Sequence, residues 1–100
     1  MATSAGRRAV VFMEPKAGKA EELLALTRKL LIEVRAANPG LKKVEVNSRE
    51  DDPDQIILYY TWESKDAQMG YEASPLFTRI LDQILPLMKK RTLIRADNIE

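Results

Sequence analysis

The eight residues Gln55-Ile56-Ile57-Leu58-Tyr59-Tyr60-Thr61-Trp62 decide the fold. Successive strand side chains point to opposite faces, so Ile56, Leu58, Tyr60 and Trp62 share one side while Ile57, Tyr59 and Thr61 share the other. Both sides are apolar enough to need cover, which predicts a central strand. Arg8-Ala9-Val10-Val11-Phe12-Met13 reads the same way, as a second central strand. Leu41 to Arg49 differs, because Val44 and Val46 alternate with Lys43, Glu45 and Asn47 and leave one wet face, the mark of an edge strand. Thr92-Leu93-Ile94-Arg95-Ala96 is expected to form a last, partly exposed strand.

Helices fill the gaps. Lys19 to Ala37 carries Leu23, Leu26, Leu30 and Val34 at helical spacing, with charged residues around the rest of the wheel. Asn38-Pro39-Gly40 is expected to end it, since Pro disfavours helical geometry in the residue before it and Gly accepts the angles of a tight exit. Ser64 can cap a short helix through Gly70 or Tyr71, and Ser74-Pro75 is a second start signal. Phe77, Ile80, Leu81, Ile84 and Leu85 make that next helix amphipathic before Pro86 interrupts it. The order is β-α-β-β-α-β. Two two-faced and two one-faced strands imply an α+β, ferredoxin-like domain with a four-stranded antiparallel sheet in the order 4-1-3-2. The domain is expected over residues 8–97, after a mobile N-terminus at residues 1–7 and before a tail at 98–100. Helices in this fold cover one sheet face, so the apolar residues on the other predict a homodimer.

One hundred residues leave room for one modest core, and 45 % apolar with 31 % charged residues is ordinary for a packed domain. Sixteen Lys and Arg against fifteen Asp and Glu leave a net charge of +1, far from the basic excess of a nucleic-acid binder. Arg7-Arg8 and Lys89-Lys90-Arg91 read as solvated strand starts. No apolar run approaches the ~20 residues that cross a bilayer, and Met1 to Gly6 lacks the apolar stretch of a signal peptide. A cytoplasmic protein without nucleic-acid or membrane partners is expected. Cys and His are absent, which removes thiol catalysis, the Ser-His-Asp arrangement and the commonest zinc, haem and copper ligands. Neither a metal nor a cofactor is therefore expected. Glu50-Asp51-Asp52-Pro53-Asp54 misses the calcium-loop spacing and its glycine, and reads as a charged hairpin turn.

The stretch from Trp62 to Phe77, WESKDAQMGYEASPLF, resembles the signature of the antibiotic biosynthesis monooxygenase family. In many members a strand-ending Trp is followed nine residues later by His, and then by Ser-Pro-His-Phe or a close variant. Trp62, Ser74, Pro75 and Phe77 fit that pattern, while Tyr71 and Leu76 stand at the two histidine positions. Asn38-Pro39-Gly40 is similar to the family's Pro-Gly turn, and the order and length of elements match from about Val10 to Ala96. The resemblance implies a dimeric α/β barrel. Among characterised members it implies oxidation of phenols, anthrones or quinols by molecular oxygen without metal or flavin. Haem-degrading relatives carry an axial His and a first-strand Asn, where this chain has only Val10-Val11-Phe12-Met13.

On that resemblance Tyr71 occupies the main polar position and could donate a hydrogen bond to a ligand oxygen, although a phenol of pKa near ~10 is a poor base at neutral pH. Asn47 and Arg49 share a strand face and could polarise a ligand oxygen; surface alternation explains them equally well. These three are the catalytic candidates. Trp62 could stack on an aromatic substrate or serve as a core aromatic, and Tyr60, on its face, is a candidate pocket wall. Met69, Met88 and Phe77 complete the substrate-binding candidates, with core packing the plainer reading for each. The leading expectation is a cofactor-independent monooxygenase acting on a phenolic, quinol or anthrone-like aromatic. Its rival is a non-catalytic dimer that binds a small apolar ligand or serves assembly. An isomerase using Glu14, Glu63 or Glu72 as base is a weaker third.

Overall fold

The computed structural model describes residues 6–98. The elements run β1 (Arg7–Pro15), α1 (Ala20–Ala37), β2 (Leu41–Ser48), β3 (Ile56–Trp62), α2 (Lys65–Glu72), α3 (Pro75–Ile84), a 3-10 turn (Leu85–Leu87) and β4 (Met88–Asp97). All strand neighbours are antiparallel, in the order β2-β3-β1-β4. The fold is therefore the α+β, ferredoxin-like one expected, with its second helix split in two. Residues 1–5 of the expected mobile start lie outside the described residues, as do residues 99–100. Arg7 opens β1, and just ahead of it the Gly6 carbonyl accepts from Asn98 N–H at 2.9 Å.

The period-two pattern of β1 and β3 sets the layers. Ala9, Val11 and Met13 of β1 and Ile56, Leu58, Tyr60 and Trp62 of β3 are buried beneath the helices. Across the sheet they form rows, Val44-Tyr60-Ala9 and Val46-Leu58-Val11-Leu93, fixed by the strand register. The opposite face carries Tyr59-Val10-Ile94 and Ile57-Phe12-Thr92, with Tyr59 and Ile94 45 % and 50 % exposed. Helix α1 buries Leu23, Thr27, Leu30, Leu31 and Val34. Its inward stripe is thus rotated from the expected one, since Leu26 lies at the margin of the core. β4 starts at Met88, four residues before the expected Thr92, because Pro15 and Glu14 of β1 already pair with Met88 and Lys90.

Serine caps position both short helices. Ser64 Oγ accepts from Ala67 N–H at 3.1 Å, satisfying one of the donors a helix start leaves open. Ser74 Oγ accepts from Phe77 N–H at 3.3 Å and donates to the Tyr71 carbonyl at 2.6 Å, so one hydroxyl closes α2 and opens α3. The exit from α1 works differently from the expectation for Gly40. Among the described glycines only Gly18, in the β1–α1 turn, has a positive φ, of 75°. Gly40 is required for space: a Cβ there would stand 2.7 Å from Ala67 Cβ, where α2 crosses the start of β2. Its carbonyl also accepts from Glu63 N–H at 2.8 Å, which ties that corner to the end of β3.

Gly40→Ala is expected to lose about 1–3 kcal/mol of stability through this overlap. Urea denaturation of Gly40→Ala, Ala67→Gly and the double variant checks it: the double variant should lose less than the sum of the two single losses, and strict additivity would count against the clash.

Candidate functional site

Trp62 ends β3 and Tyr71 ends α2, and their rings stack at 5.4 Å between centroids. Tyr60 stacks on the other side of Trp62 at 6.2 Å, and Phe77 of α3 meets Tyr71 edge to face at 5.1 Å. One strand and two helices thus contribute to a single aromatic cluster, in which Trp62 is 1 % exposed. A small cavity of about 20 Å³ lies against it, walled also by Ala9, Val11 and Leu93 of the sheet. About 10–15 Å³ holds one water, so this hollow is at water scale and far below the size of an aromatic ring. Larger grooves of about 310 and 390 Å³ flank the β2–β3 turn, but they are surface troughs edged by Glu21, Arg28, Lys16 and Asp54.

Two charged side chains reach the aromatic cavity, Glu72 and Arg91. Arg91 lies 5.7 Å over the Phe77 ring, a distance at which the guanidinium is attracted to the ring face. Glu72 accepts from Arg95 Nε at 3.2 Å and Nη2 at 2.5 Å, and from Gln68 Nε2 through its other oxygen. Gln68, 1 % exposed, accepts in turn from Arg7 Nε at 3.1 Å, and Arg7 pairs with Asp97 at 2.6 Å. The carboxylate at the cavity is thereby held in one orientation by a chain of polar groups from two strands, β1 and β4, and from α2. Burial pushes the Tyr71 hydroxyl up to about 12, with Glu72 adding to the rise and Arg91 opposing it. Burial likewise raises Tyr60 well above its ordinary value. Both phenols stay neutral near pH 7 and can donate hydrogen bonds; Glu72 is the one lining side chain able to accept a proton.

Of the candidates read from sequence, Tyr60, Trp62, Tyr71 and Phe77 come together here. Asn47 and Arg49 do not: register places Asn47 beside Ile57 on the helix-free face, and the sheet stands between them and Tyr71. Arg49 instead closes the β2–β3 turn, donating from Nε and Nη2 to Asp51 at 2.8 and 2.6 Å and from Nη1 to Gln55 at 3.2 Å. Arg49 holds the Asp51 carboxyl below its usual range, the electrostatics of a turn as expected of this acidic segment. Met69 points outward, 51 % exposed, because Tyr71 and Gln68 take the inner side of α2. Met88 is buried at the far end of the sheet, opposite Pro15, whereas Trp62 lies opposite Arg7. Glu63 is exposed, and Glu14 edges grooves away from the cluster. Arg91, read from the sequence as part of a solvated strand start and not as a site candidate, lines the cavity. Counting by twos from Leu93 finds it, once β4 is known to begin at Met88.

A family profile described as "Antibiotic biosynthesis monooxygenase" matches residues 7–83. No curated protein matches the chain significantly. Among solved structures, a candidate antibiotic biosynthesis monooxygenase from Caulobacter crescentus superposes with a TM-score of 0.86 at 17 % identity, over 97 % of this chain and 92 % of that one. A protein from Shewanella oneidensis gives 0.85 at 20 % identity over 96 % and 93 % of the two chains. A second candidate monooxygenase, from Nitrosomonas europaea, gives 0.84 at 17 % identity over 99 % and 95 %. At these identities the likeness is one of fold.

Because Tyr71 gives up its proton at about 12 in the folded protein against 10.0 for a free tyrosine, the folded state holds that proton more tightly. Its contribution to stability is complete below pH 10.0 and is lost as pH rises toward about 12. Tyrosinate absorbance at 295 nm should therefore be the same in wild type and Tyr71→Phe at pH 10, and fall short in the variant only above about pH 11. A deficit already present at pH 10 would show that Tyr71 ionises as an exposed phenol.

Proposed function

Because this chain belongs to the antibiotic biosynthesis monooxygenase family, we propose that it oxidises a phenolic, quinol or anthrone-like aromatic with molecular oxygen in the cavity beside Trp62. The observation that carries this reading is the meeting of an aromatic wall with one oriented carboxylate, Glu72, and one cation, Arg91. The Trp62 and Tyr60 rings offer stacking area to a flat substrate. Glu72 takes the acidic proton, and Arg91 stands by the negative charge that remains on the substrate oxygen. The deprotonated ring is itself the reductant: for an anthrone-type methylene, the carbon loses two hydrogens and gains one oxygen atom, and the second oxygen leaves as water. No further electron donor enters the balance. Absence of His and Cys from the chain agrees with chemistry that needs neither imidazole nor thiolate ligands.

One observation favours the rival reading, a non-catalytic binder of a small apolar molecule. Tyr71, at a histidine position of the family motif, is a neutral phenol wedged between two rings and is no base. An oxygen electrode separates the two readings. Metal-free protein given anthrone or a quinol should consume oxygen above the autoxidation rate, and Glu72→Gln should slow turnover by roughly 10²–10⁴-fold if the carboxylate is the general base. No uptake above the blank with intact protein removes the oxygenase reading.

We further propose that the helix-free sheet face is covered by a second copy of the chain, giving a dimeric α/β barrel in the cytoplasm. Support comes from the apolar rows through Val10 and Phe12, with Tyr59 and Ile94 left half exposed on that face. No helix among the described residues is long and apolar enough to cross a membrane. Light scattering should give twice the 11.4 kDa chain mass, and Tyr59→Lys with Ile94→Lys should shift it toward the monomer. A monomeric wild type at micromolar concentration would overturn this assembly.

A further inference from the structure

Thr27 is the one polar side chain in the buried stripe of α1, where Leu23, Leu30, Leu31 and Val34 take the other positions. It is 4 % exposed, and its Oγ1 has no hydrogen-bond partner. A helical Thr commonly bonds the carbonyl one turn earlier, and this one does not. An unpaired buried hydroxyl is destabilising, and Val would fill the same space without that cost. Thr27 lines a second small hollow of about 30 Å³, between α1, α3 and the sheet. Met13, Leu30, Val34 and Ile80 make its walls apolar, save where Tyr60 and Tyr71 form one side. The same two tyrosines wall the Trp62 cavity. A single layer of side chain therefore separates the two hollows.

Lining chemistry indicates what the inner hollow suits. A buried water needs two to four polar partners, and so apolar a chamber offers few. An aromatic edge bearing one oxygen matches it better, the ring against Leu and Ile and the oxygen at Thr27. Neither hollow nears the ~150 Å³ that accepts benzene, so a ring enters only if the partition moves. Tyr60 cannot readily do so, being fixed in β3 between two neighbouring strands. Tyr71 sits at the end of the eight-residue α2, outside the sheet, and is the movable half.

We propose that displacement of Tyr71 joins the two hollows into one slot closed by Thr27, whose Oγ1 hydrogen-bonds an oxygen at the buried end of a fused- or linked-ring aromatic. This deepens the proposed function and rests on its aromatic ligand. Thr27 selects for a substrate of at least two rings that carries an oxygen remote from the reacting end, while Glu72 and Arg91 act at the other end of the slot.

The test uses two probes of nearly equal shape, 2-naphthol and 2-methylnaphthalene, with binding to intact protein measured by equilibrium dialysis under nitrogen. Wild type should prefer 2-naphthol. Thr27→Val should weaken 2-naphthol by about three- to tenfold, leave 2-methylnaphthalene unchanged, and melt at the same or a higher temperature. Thr27→Ser should retain the preference. Equal binding of both probes to wild type and Thr27→Val, or no binding of either to wild type, overturns the anchor. A markedly lower melting temperature for Thr27→Val also overturns it, because the hydroxyl would then be a structural one. Oxygen uptake separates this from the parent reading: a Thr27-dependent preference without uptake keeps the slot and removes the oxygenase, and uptake without the preference does the reverse.

Discussion

The stack of Trp62 on Tyr71 is the contact on which the rest of the molecule depends. It joins the last residue of a central strand to the last turn of α2, and through the edge of Phe77 it reaches α3. Such aromatic pairs add about 0.5–1.5 kcal/mol beyond the area they bury, and each of these rings also excludes water from the sheet. Together with the Gln68–Arg7 and Glu72–Arg95 bonds, the stack holds α2 to the sheet, for the helix is short and its outer side is exposed. An isolated helix of eight residues is not stable in water. The rings therefore position the helix, and the helix in turn closes the cavity.

That closure has electrostatic consequences. Desolvation of the two phenols keeps them neutral, while Glu72 is kept at the cavity edge by Gln68 and Arg95. A buried glutamine is costly unless both ends of its amide are bonded, and Gln68 meets that condition between Arg7 and Glu72. The network spans β1, β4 and α2, so the orientation of the carboxylate is set by the sheet as well as by its own helix. Catalytic sites benefit from such fixed groups because no reorganisation is needed when charge develops. In the proposed opening the Tyr71 ring is the part that moves, because it is held by ring contacts while Gln68 and Glu72 beside it are held by hydrogen bonds.

Strand parity made much of this legible in the chain alone. Both faces of Gln55 to Trp62 are apolar, and an alternating pattern cannot slip by one residue without exposing a whole buried set. Central and edge strands, sheet order and the side of Tyr60 and Trp62 all follow from that. The serine starts were equally readable, because a capping hydroxyl acts on backbone donors two or three residues away and needs no distant partner. Local chemistry therefore determined the elements, their order and one wall of the site.

Contacts between elements distant in sequence were decided only by the tertiary structure. Asn47 and Arg49 sit on a face that parity alone could label but not assign to the helix or the helix-free side, and the sheet separates them from Tyr71. Met69 and Met88 lie close to motif residues in sequence, yet helical rotation turns one outward and the strand direction carries the other to the far end of the sheet. Gly40 is needed because α2 crosses above it, a fact of packing between segments 27 residues apart, where 67 meets 40. Thr27 lies outside the stripe of Leu23, Leu26, Leu30 and Val34 read from the sequence, and only the rotation of α1 against the sheet buries it as the polar side chain of an apolar chamber. Periodicity in a sequence determines which residues share a face, since it depends on bonds along the chain. What each face meets depends on how the elements pack, and that is a property of the folded molecule alone.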